Sequence, residues 1–207
     1  MPCIWLMSLI CRRILISSNS MQTAEQLRFS AADFLVWEES QTEKHEFVAG
    51  EVFAMTGARQ DHVLVSGNIF AALKQRLRGT PCRAYVADMK LRVETADAFF
   101  YPDAMVSCHP DDRQAKQFLS HPTLIVEVLS ESTADYDRGG KFVAYRKLES
   151  LKEYLIIDIE ARRVECFRRT DDNDWLLHDY VGEVDCHLHS LDFSLPLAEI
   201  FEDIDPA

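Results

Sequence analysis

Residues 123–130, with the sequence TLIVEVLS, constrain the fold of this chain more than any other segment. The run is rich in β-branched residues and almost wholly apolar, which is typical of a central strand covered on both faces. Glu127 interrupts this apolar pattern. A carboxylate in a buried strand is costly and persists only with a partner, which can be a metal, a cation or hydrogen-bond donors. The simplest structural alternative is a buried ion pair between Glu127 and a lysine or arginine.

The segments around this strand predict a mixture of helices and strands. Ser30 and Asp33 form a capping-box pattern that begins a helix ending at about Glu39. Residues 45–55 alternate around Gly50 and predict a hairpin, and residues 60–77 repeat apolar side chains at helical spacing. Further strands are predicted at residues 83–87, 90–94, 99–108, 153–159, 162–168, 175–181 and near 187, and further helices at 138–148, capped by Asp137, and at 197–201. This order predicts a single domain of mixed α/β or α+β class, and the early hairpin and late strand pair argue against a purely parallel doubly wound sheet.

Bulk composition narrows the classes of function. The chain has 207 residues and a formal net charge of −12. An acidic surface repels a phosphate backbone, which argues against a simple nucleic-acid-binding module and less strongly against an enzyme whose carboxylates gather a cation. None of the six cysteines forms a C-x-x-C pair, so we expect scattered thiols in a reducing cytoplasm and no zinc site.

Residues 1–20 differ in character from the rest of the chain. Their apolar run, residues 4–11, is far shorter than the roughly 20 residues that a membrane span needs, and Arg12 and Arg13 follow it instead of preceding it. We expect residues 1–20 to be a non-native or disordered extension, with a membrane anchor as the alternative, and residues 21–207 to form one domain. With no targeting or membrane segment recognised, the expected location is the cytoplasm.

Asp103 and Lys141 are the residues that make Glu127 chemically interesting. Asp103 follows Tyr-Pro and leads into an apolar run; taken alone, Pro-Asp is a common turn. Two carboxylates aimed the same way from neighbouring strands, about 4.8 Å apart, can share one hard cation. Lys141 lies in the first turn of a predicted helix, with Tyr145 one turn later on the same face. A lysine there can stabilise a metal-bound hydroxide or developing phosphate charge, although most helix lysines face solvent.

A family resemblance connects these residues. Its segments, in order, are HEFVAGE at 45–51, AMTG at 54–57 with His62, ADMK at 87–90, YPD at 101–103, VEVLS at 126–130, residues 137–145 and SLKEY at 150–154. In order and spacing they resemble the restriction-endonuclease family called Uma-two, within the PD-(D/E)XK nuclease superfamily, from about residue 29 to 204. The resemblance implies a sheet flanked by helices and a Mg²⁺ or Mn²⁺ site that cuts DNA phosphodiester bonds.

The resemblance also assigns roles to individual residues. Asp103 matches the PD aspartate and Glu127 the acidic residue of the second half-motif. The superfamily lysine is expected at Leu129, and Lys141 matches the relocated lysine of the family. The implied metal ligands are Asp103, Glu127 and the Val128 backbone carbonyl, with Lys141 positioning or helping to deprotonate the water.

Five further residues are secondary candidates. Glu46 matches an early acidic position of the family and is expected to reach the metal or its water, unless it forms a surface ion pair. His62 is placed to orient substrate or act as an acid, unless it is a satisfied interface histidine. Asp88 is a possible additional carboxylate, and Ser130 and Asp137 are candidates for organising the loop between Glu127 and Lys141.

Two rival functions stay open at this point. One is a catalytically inactive binding or assembly module of the same fold, which the acidic charge and the displaced lysine favour. The other is a hydrolase of a smaller phosphorylated or nucleotide substrate. A homodimer built on the apolar C-terminal strands would suit cleavage of both DNA strands, and is a further expectation.

Overall fold

The computed structural model describes residues 29–205 apart from residues 56 and 132, so the prediction for residues 1–20 lies outside the described residues. The helices are α1 (Ala31–Glu38), α2 (Gln60–Arg76), α3 (Pro110–Gln114), α4 (Ala134–Tyr136), α5 (Phe142–Tyr145) and α6 (Leu197–Ile200). The strands are β1 (His45–Val48), β2 (Glu51–Ala54), β3 (Arg83–Val86), β4 (Lys90–Val93), β5 (Ala98–Phe100), β6 (Ala104–Ser107), β7 (Phe118–Leu119), β8 (Leu124–Val128), β9 (Glu153–Asp158), β10 (Arg163–Arg169), β11 (Trp175–Val181), β12 (Asp185–Leu188) and β13 (Phe193–Pro196).

The strands form three sheets. The first has the order β2-β1-β5-β4-β7, the second has the order β11-β10-β9-β8-β6-β3, and β12 pairs with β13. The second sheet is mixed, because β8 runs parallel to β9 and antiparallel to β6. The predicted α+β class is confirmed, and the early hairpin appears as β1 and β2. None of the described helices is long and apolar enough to cross a membrane.

One corner of the chain connects the two large sheets and separates two strands that the sequence predicted as one. The expected strand at residues 99–108 divides into β5, in the first sheet, and β6, in the second. Tyr101, Pro102 and Asp103 lie between them. Proline lacks the backbone N–H that a continuous ladder requires, so it favours an interruption here. This corner places Asp103 immediately before the first residue of β6.

The two sheets pack face to face through an apolar cluster that includes Leu91 and Phe100 from the first sheet and Ile125 and Ile156 from the second. Because side chains alternate along a strand, Glu127 lies on the same face of β8 as Ile125 and points toward the first sheet. The other face of β8 packs against α2 in a second cluster. Glu127 is therefore covered from both sides, as the sequence predicted for this strand.

The predicted helix at residues 138–148 begins earlier and contains a wider turn. Ala134–Tyr136 is α-helical, Asp137–Lys141 is a π-helical turn, and Phe142–Tyr145 is α-helical again. Asp137 therefore lies inside the helical segment, and the prediction that it caps the helix is wrong. A Cβ atom at Gly140 would overlap the ring of Tyr136, so glycine lets that ring lie against the widened turn. Single π-helical turns of this kind occur frequently at functional sites.

Two cysteines are paired, contrary to the expectation of scattered thiols. β3 and β6 are antiparallel with Arg83 opposite Ser107, so Cys82 and Cys108 come next in register and form a disulfide. Cys166 and Cys186 are free and buried. No local pattern predicts the pairing, because it depends on the register of β3 and β6 and joins cysteines that are 26 residues apart.

Candidate functional site

Lys141 is the centre of a buried cluster of charges. Its Nζ lies 3.2 Å from Glu127 Oε1, 3.2 Å from Glu46 Oε1 and 3.1 Å from Asp137 Oδ1, and its side chain is 7% exposed. Burial alone would lower the pKa of Lys141, but the three carboxylates, led by Glu127, outweigh burial and raise that pKa well above its ordinary value. The ammonium group therefore stays charged at neutral pH.

Glu127 has few donors for a buried carboxylate. The residue is 3% exposed, and its Oε1 accepts hydrogen bonds from the Tyr145 hydroxyl at 2.7 Å and from Lys141. Burial raises the pKa of Glu127 well above its ordinary value; the charge of Lys141 opposes this shift, and the neighbouring carboxylates, led by Asp137, add to it. The carboxyl group is thus costly to ionise until a further positive charge arrives.

Asp103 lies beside Glu127 because of strand register. Ala104 pairs with Val126 across β6 and β8, so the next position brings Asp103 opposite Glu127. The Val128 backbone N–H donates to Asp103 Oδ2 at 2.8 Å. The predicted adjacency of the two strands is observed, because β6 pairs with β8 and Asp103 immediately precedes β6. Their role as metal ligands stays a prediction.

His62 approaches the same end of β8 from the first turn of α2. Its Nε2 lies 3.4 Å from Asp103 Oδ2. Burial would lower the pKa of His62, but the hydrogen bond and charge of Asp103, with a hydrogen bond to the Val128 backbone, outweigh burial and raise it. Asp103 and His62 therefore form a half-buried pair next to the Glu127 carboxylate.

Glu46 belongs to the cluster and is not a surface residue of the hairpin. It is 8% exposed and accepts a long hydrogen bond, 3.4 Å, from the Tyr101 backbone N–H. Burial raises the pKa of Glu46, and Lys141 opposes this shift. The alternative of a surface ion pair is wrong, because the partner of Glu46 is the buried Lys141.

The remaining candidates divide between the cluster and its surroundings. Asp137 belongs to the cluster, but its buried Oδ1 lacks hydrogen-bond geometry toward Lys141 and receives no other hydrogen bond from the described residues. Ser130 is hydrogen-bonded to Thr133 at 2.9 Å in the connecting loop. Asp88 lies outside the cluster, in the exposed turn between β3 and β4, where it pairs with Lys44. Tyr145 was not a predicted site residue, although its spacing from Lys141 and Asp137 by multiples of four places all three on one helical face.

The donor chemistry of the cluster suits a hard divalent cation. Carboxylate and carbonyl oxygens are the ligands that Mg²⁺ prefers, and Mg²⁺ usually keeps several water ligands, so one or two carboxylates suffice. Among the described residues, no group of three or more His, Cys, Asp or Glu side chains is arranged to hold a metal ion. The surplus of carboxylates over lysine leaves the cluster short of positive charge. Asp103, Glu127 and the Val128 carbonyl thus fit a cation that keeps part of its water shell.

The sequence is similar to a family of known proteins. Residues 31–198 match the model of the Uma2 family, described as "Putative restriction endonuclease". The uncharacterized protein slr1290 of Synechocystis sp. is 34% identical over 174 residues, covering 84% of this chain and 92% of that protein. A second Synechocystis protein, the uncharacterized sll1609, is 36% identical over 156 residues, covering 74% of this chain and 88% of that protein.

A solved structure shares the fold. It is the crystal structure of "a putative nuclease belonging to DUF820" from Anabaena variabilis, which aligns with a TM-score of 0.68 at 14% identity. The alignment covers 83% of this chain and 97% of that one. At this identity the likeness establishes the fold alone.

Proposed function

The chain belongs to the Uma2 family of restriction-endonuclease-like proteins, and from this premise we propose that it is a divalent-metal-dependent endonuclease that hydrolyses DNA phosphodiester bonds. One observation carries the proposal. Asp103 and Glu127 extend from register-matched ends of adjacent strands, beside a buried lysine that is surrounded by more carboxylates than it can neutralise. Such a site is poised to accept a further cation, and a divalent cation can activate water and neutralise phosphate charge in phosphodiester hydrolysis.

Asp103, Glu127 and the Val128 carbonyl are the groups that would hold Mg²⁺ or Mn²⁺. When bound, the ion supplies Lewis acidity, which lowers the pKa of a water and neutralises phosphate charge. The Val128 N–H fixes the direction of the Asp103 carboxylate, because it donates to Oδ2 at 2.8 Å. Burial of Glu127 between the sheets excludes bulk water from one side of the site.

Lys141 acts in this proposal as a fixed positive charge and hydrogen-bond donor. Its raised pKa keeps the amine protonated, so it is a poor base in the metal-free state. Of the two roles that the sequence suggested, positioning a water or phosphate oxygen is therefore favoured over taking the proton from the water. Glu46 and Asp137 hold the ammonium in place from two further directions.

His62 is proposed to donate a proton to the leaving-group oxygen. It lies beside Asp103, and its raised pKa increases the protonated fraction near neutral pH. A half-buried histidine that is oriented by a carboxylate is a common general acid. Replacement of His62 by asparagine tests the role through the pH profile of cleavage, which is expected to lose its basic limb.

Cleavage of supercoiled plasmid in Mg²⁺ or Mn²⁺, with EDTA as the blank, tests the proposal. We expect Asp103→Ala and Glu127→Gln each to lower the cleavage rate by at least ~10²–10³-fold, as loss of a central electrostatic group does elsewhere. Asp172→Asn, which removes one exposed charge from the β10–β11 turn, is the matched control. Undiminished cleavage by either site variant, with folding verified by thermal unfolding, contradicts the assignment.

A second candidate, an inactive binding or assembly module, has one observation in its favour. Lys141 already neutralises part of the carboxylate charge, and the described residues contain no site with three protein side-chain ligands. Calorimetry with Mn²⁺ separates the two proposals. Binding that disappears in Asp103→Ala favours the nuclease, whereas no heat at near-millimolar Mn²⁺ favours the module.

A further inference from the structure

Two exposed ion pairs lie close to segments that carry residues of the site. Lys44 pairs with Asp88, and their side chains are 42% and 87% exposed. Arg59 Nη1 lies 2.8 Å from Glu131 Oε1, and their side chains are 74% and 75% exposed. We name these four residues the phosphate rim. Each pair consists of one cation and one carboxylate that water reaches freely.

The Lys44 pair lies against the corner that carries Asp103. Lys44 Nζ donates to the Ala87 carbonyl at 3.4 Å, and the Ala87 N–H donates to the Asp103 carbonyl at 3.2 Å. Lys90 adds a second cation on this side, because Lys44 Nζ and Lys90 Nζ lie 5.7 Å and 5.5 Å from the centre of the Tyr101 ring. Tyr101 precedes Asp103 by two residues, so positive charge flanks the Asp103 side of the site.

The Arg59 pair joins the residue before α2 to the segment that follows β8. Arg59 precedes α2, and His62, in the first turn of that helix, reaches Asp103 with Nε2 at 3.4 Å from Oδ2. Glu131 follows Glu127 by four residues. The ion pair therefore joins the two segments that carry His62 and Glu127, at the surface above them.

The charge balance of the protein makes these exposed cations significant. The net charge is −12, and Lys141 is buried among three carboxylates, so it cannot hold a long polyanion. Exposed ion pairs contribute little to stability, because water and salt screen both partners. A phosphate can therefore replace the carboxylate of such a pair at little cost, and it gains affinity from the release of counterions.

We propose that Lys44 and Arg59 bind DNA backbone phosphates near the bond to be cut, and that Asp88 and Glu131 occupy these cations until the DNA displaces them. The proposal rests on the proposed nuclease function and specifies how the polyanion is held. In this arrangement, Asp88 and Glu131 compete with the DNA phosphates for Lys44 and Arg59. Removing a cation and removing its carboxylate should consequently change DNA affinity in opposite directions.

Fluorescence anisotropy of a labelled DNA duplex, in EDTA so that no cleavage occurs and over a series of salt concentrations, tests this. Lys44→Ala and Arg59→Ala are each expected to raise Kd by ~3–10-fold and to reduce the slope of log K against log salt by about 0.9. Asp88→Asn and Glu131→Gln are each expected to lower Kd by ~2–5-fold.

The controls are Lys74→Ala, an exposed lysine three turns along α2 from His62, and Asp172→Asn in the β10–β11 turn. Each removes the same single charge as a rim variant, and neither should change Kd by more than about 1.5-fold. If the rim variants change Kd no more than these controls do, the phosphate-rim proposal is overturned. Plasmid cleavage by the wild type would be unaffected by that result. If the cation and carboxylate variants shift Kd in opposite directions but the wild type cleaves no plasmid in any metal, the phosphate rim is supported and the nuclease proposal is overturned. No duplex binding by the wild type at the lowest salt overturns the rim.

Discussion

Glu127 and Glu153 are two buried glutamates on adjacent strands of the second sheet, and they are held in contrasting ways. Glu153 begins β9 and is 0% exposed, and Glu127 lies near the end of β8 and is 3% exposed. Glu127 interrupts an apolar strand and Glu153 begins one, and a carboxylate is costly at either buried position unless it is partnered. What separates them is the number and kind of donors that the fold supplies.

Glu153 is fully provided with donors. Arg168 Nε donates to Oε1 at 2.9 Å, and the His189 N–H donates to the same oxygen at 3.1 Å. The backbone N–H and the hydroxyl of Ser190 donate to Oε2 at 2.9 Å and 2.6 Å. No other carboxylate shares an ion pair with Arg168 among the described residues. Such a carboxylate serves to fasten the turn before β13 onto the second sheet.

Glu127 is the opposite case. Among the described residues, its only cation is Lys141, which also pairs with Glu46 and Asp137, and its other hydrogen-bond donor is the Tyr145 hydroxyl. The fold thus provides one positive charge for three buried carboxylates. This contrast teaches that a shortage of positive charge, more than burial itself, distinguishes a candidate cation site from a structural brace.

Replacing the two glutamates by glutamine should change the free energy of unfolding by very different amounts. Glu153→Gln is expected to lower the free energy of unfolding by about 2–4 kcal/mol, because the amide NH₂ faces donors and Arg168 loses its counter-charge. Glu127→Gln is expected to leave the metal-free protein within about 1 kcal/mol of the wild type at neutral pH, or more stable, because Lys141 keeps two carboxylates. Urea unfolding measures both. Equal losses of unfolding free energy in the two variants would mean that the protein depends equally on the two carboxylates.

The sequence predicted one half of this contrast. The apolar run around Glu127 correctly indicated a buried strand, and the family resemblance pointed to Lys141, which the structure places against Glu127. The capping box of α1 and the helix at residues 60–77 also appear as expected. These features depend on local periodicity and spacing, which a single sequence carries.

The other half depends on contacts between distant segments. The donors to Glu153 come from residues 168, 189 and 190, brought together by strand pairing and by a turn that no local pattern announces. Asp137 looked like a helix cap because aspartate favours that position, but the wider turn placed it inside the cluster. Strand register likewise determined the Cys82–Cys108 pair.

The dependence of stability on pH should differ between the wild type and Glu127→Gln. The pKa of Glu127 is raised in the folded protein, so the folded state holds a proton that the unfolded state, with an ordinary value of 4.5, has released. The wild type therefore loses stability as pH rises from about 4.5 through the raised pKa, and Glu127→Gln does not. We expect the variant to gain on the wild type by about 1–2 kcal/mol between pH 4.5 and pH 8 in EDTA. A constant difference across this range would mean that Glu127 is ionised in the folded protein throughout.

The smallest effect compares two hydroxyl groups that serve the two glutamates. Tyr145→Phe removes the 2.7 Å hydrogen bond to Glu127, and Ser190→Ala removes the 2.6 Å hydrogen bond to Glu153. Each variant is expected to lower the free energy of unfolding by about 1 kcal/mol, the usual net value of one such bond. Only Tyr145→Phe should also slow plasmid cleavage, by about 10-fold, because it releases a proposed metal ligand from the group that orients it. A slower rate in Ser190→Ala of the same size, measured per folded molecule, would show that cleavage follows general stability. Retained cleavage in Tyr145→Phe would instead mean that Lys141 alone orients the Glu127 carboxylate.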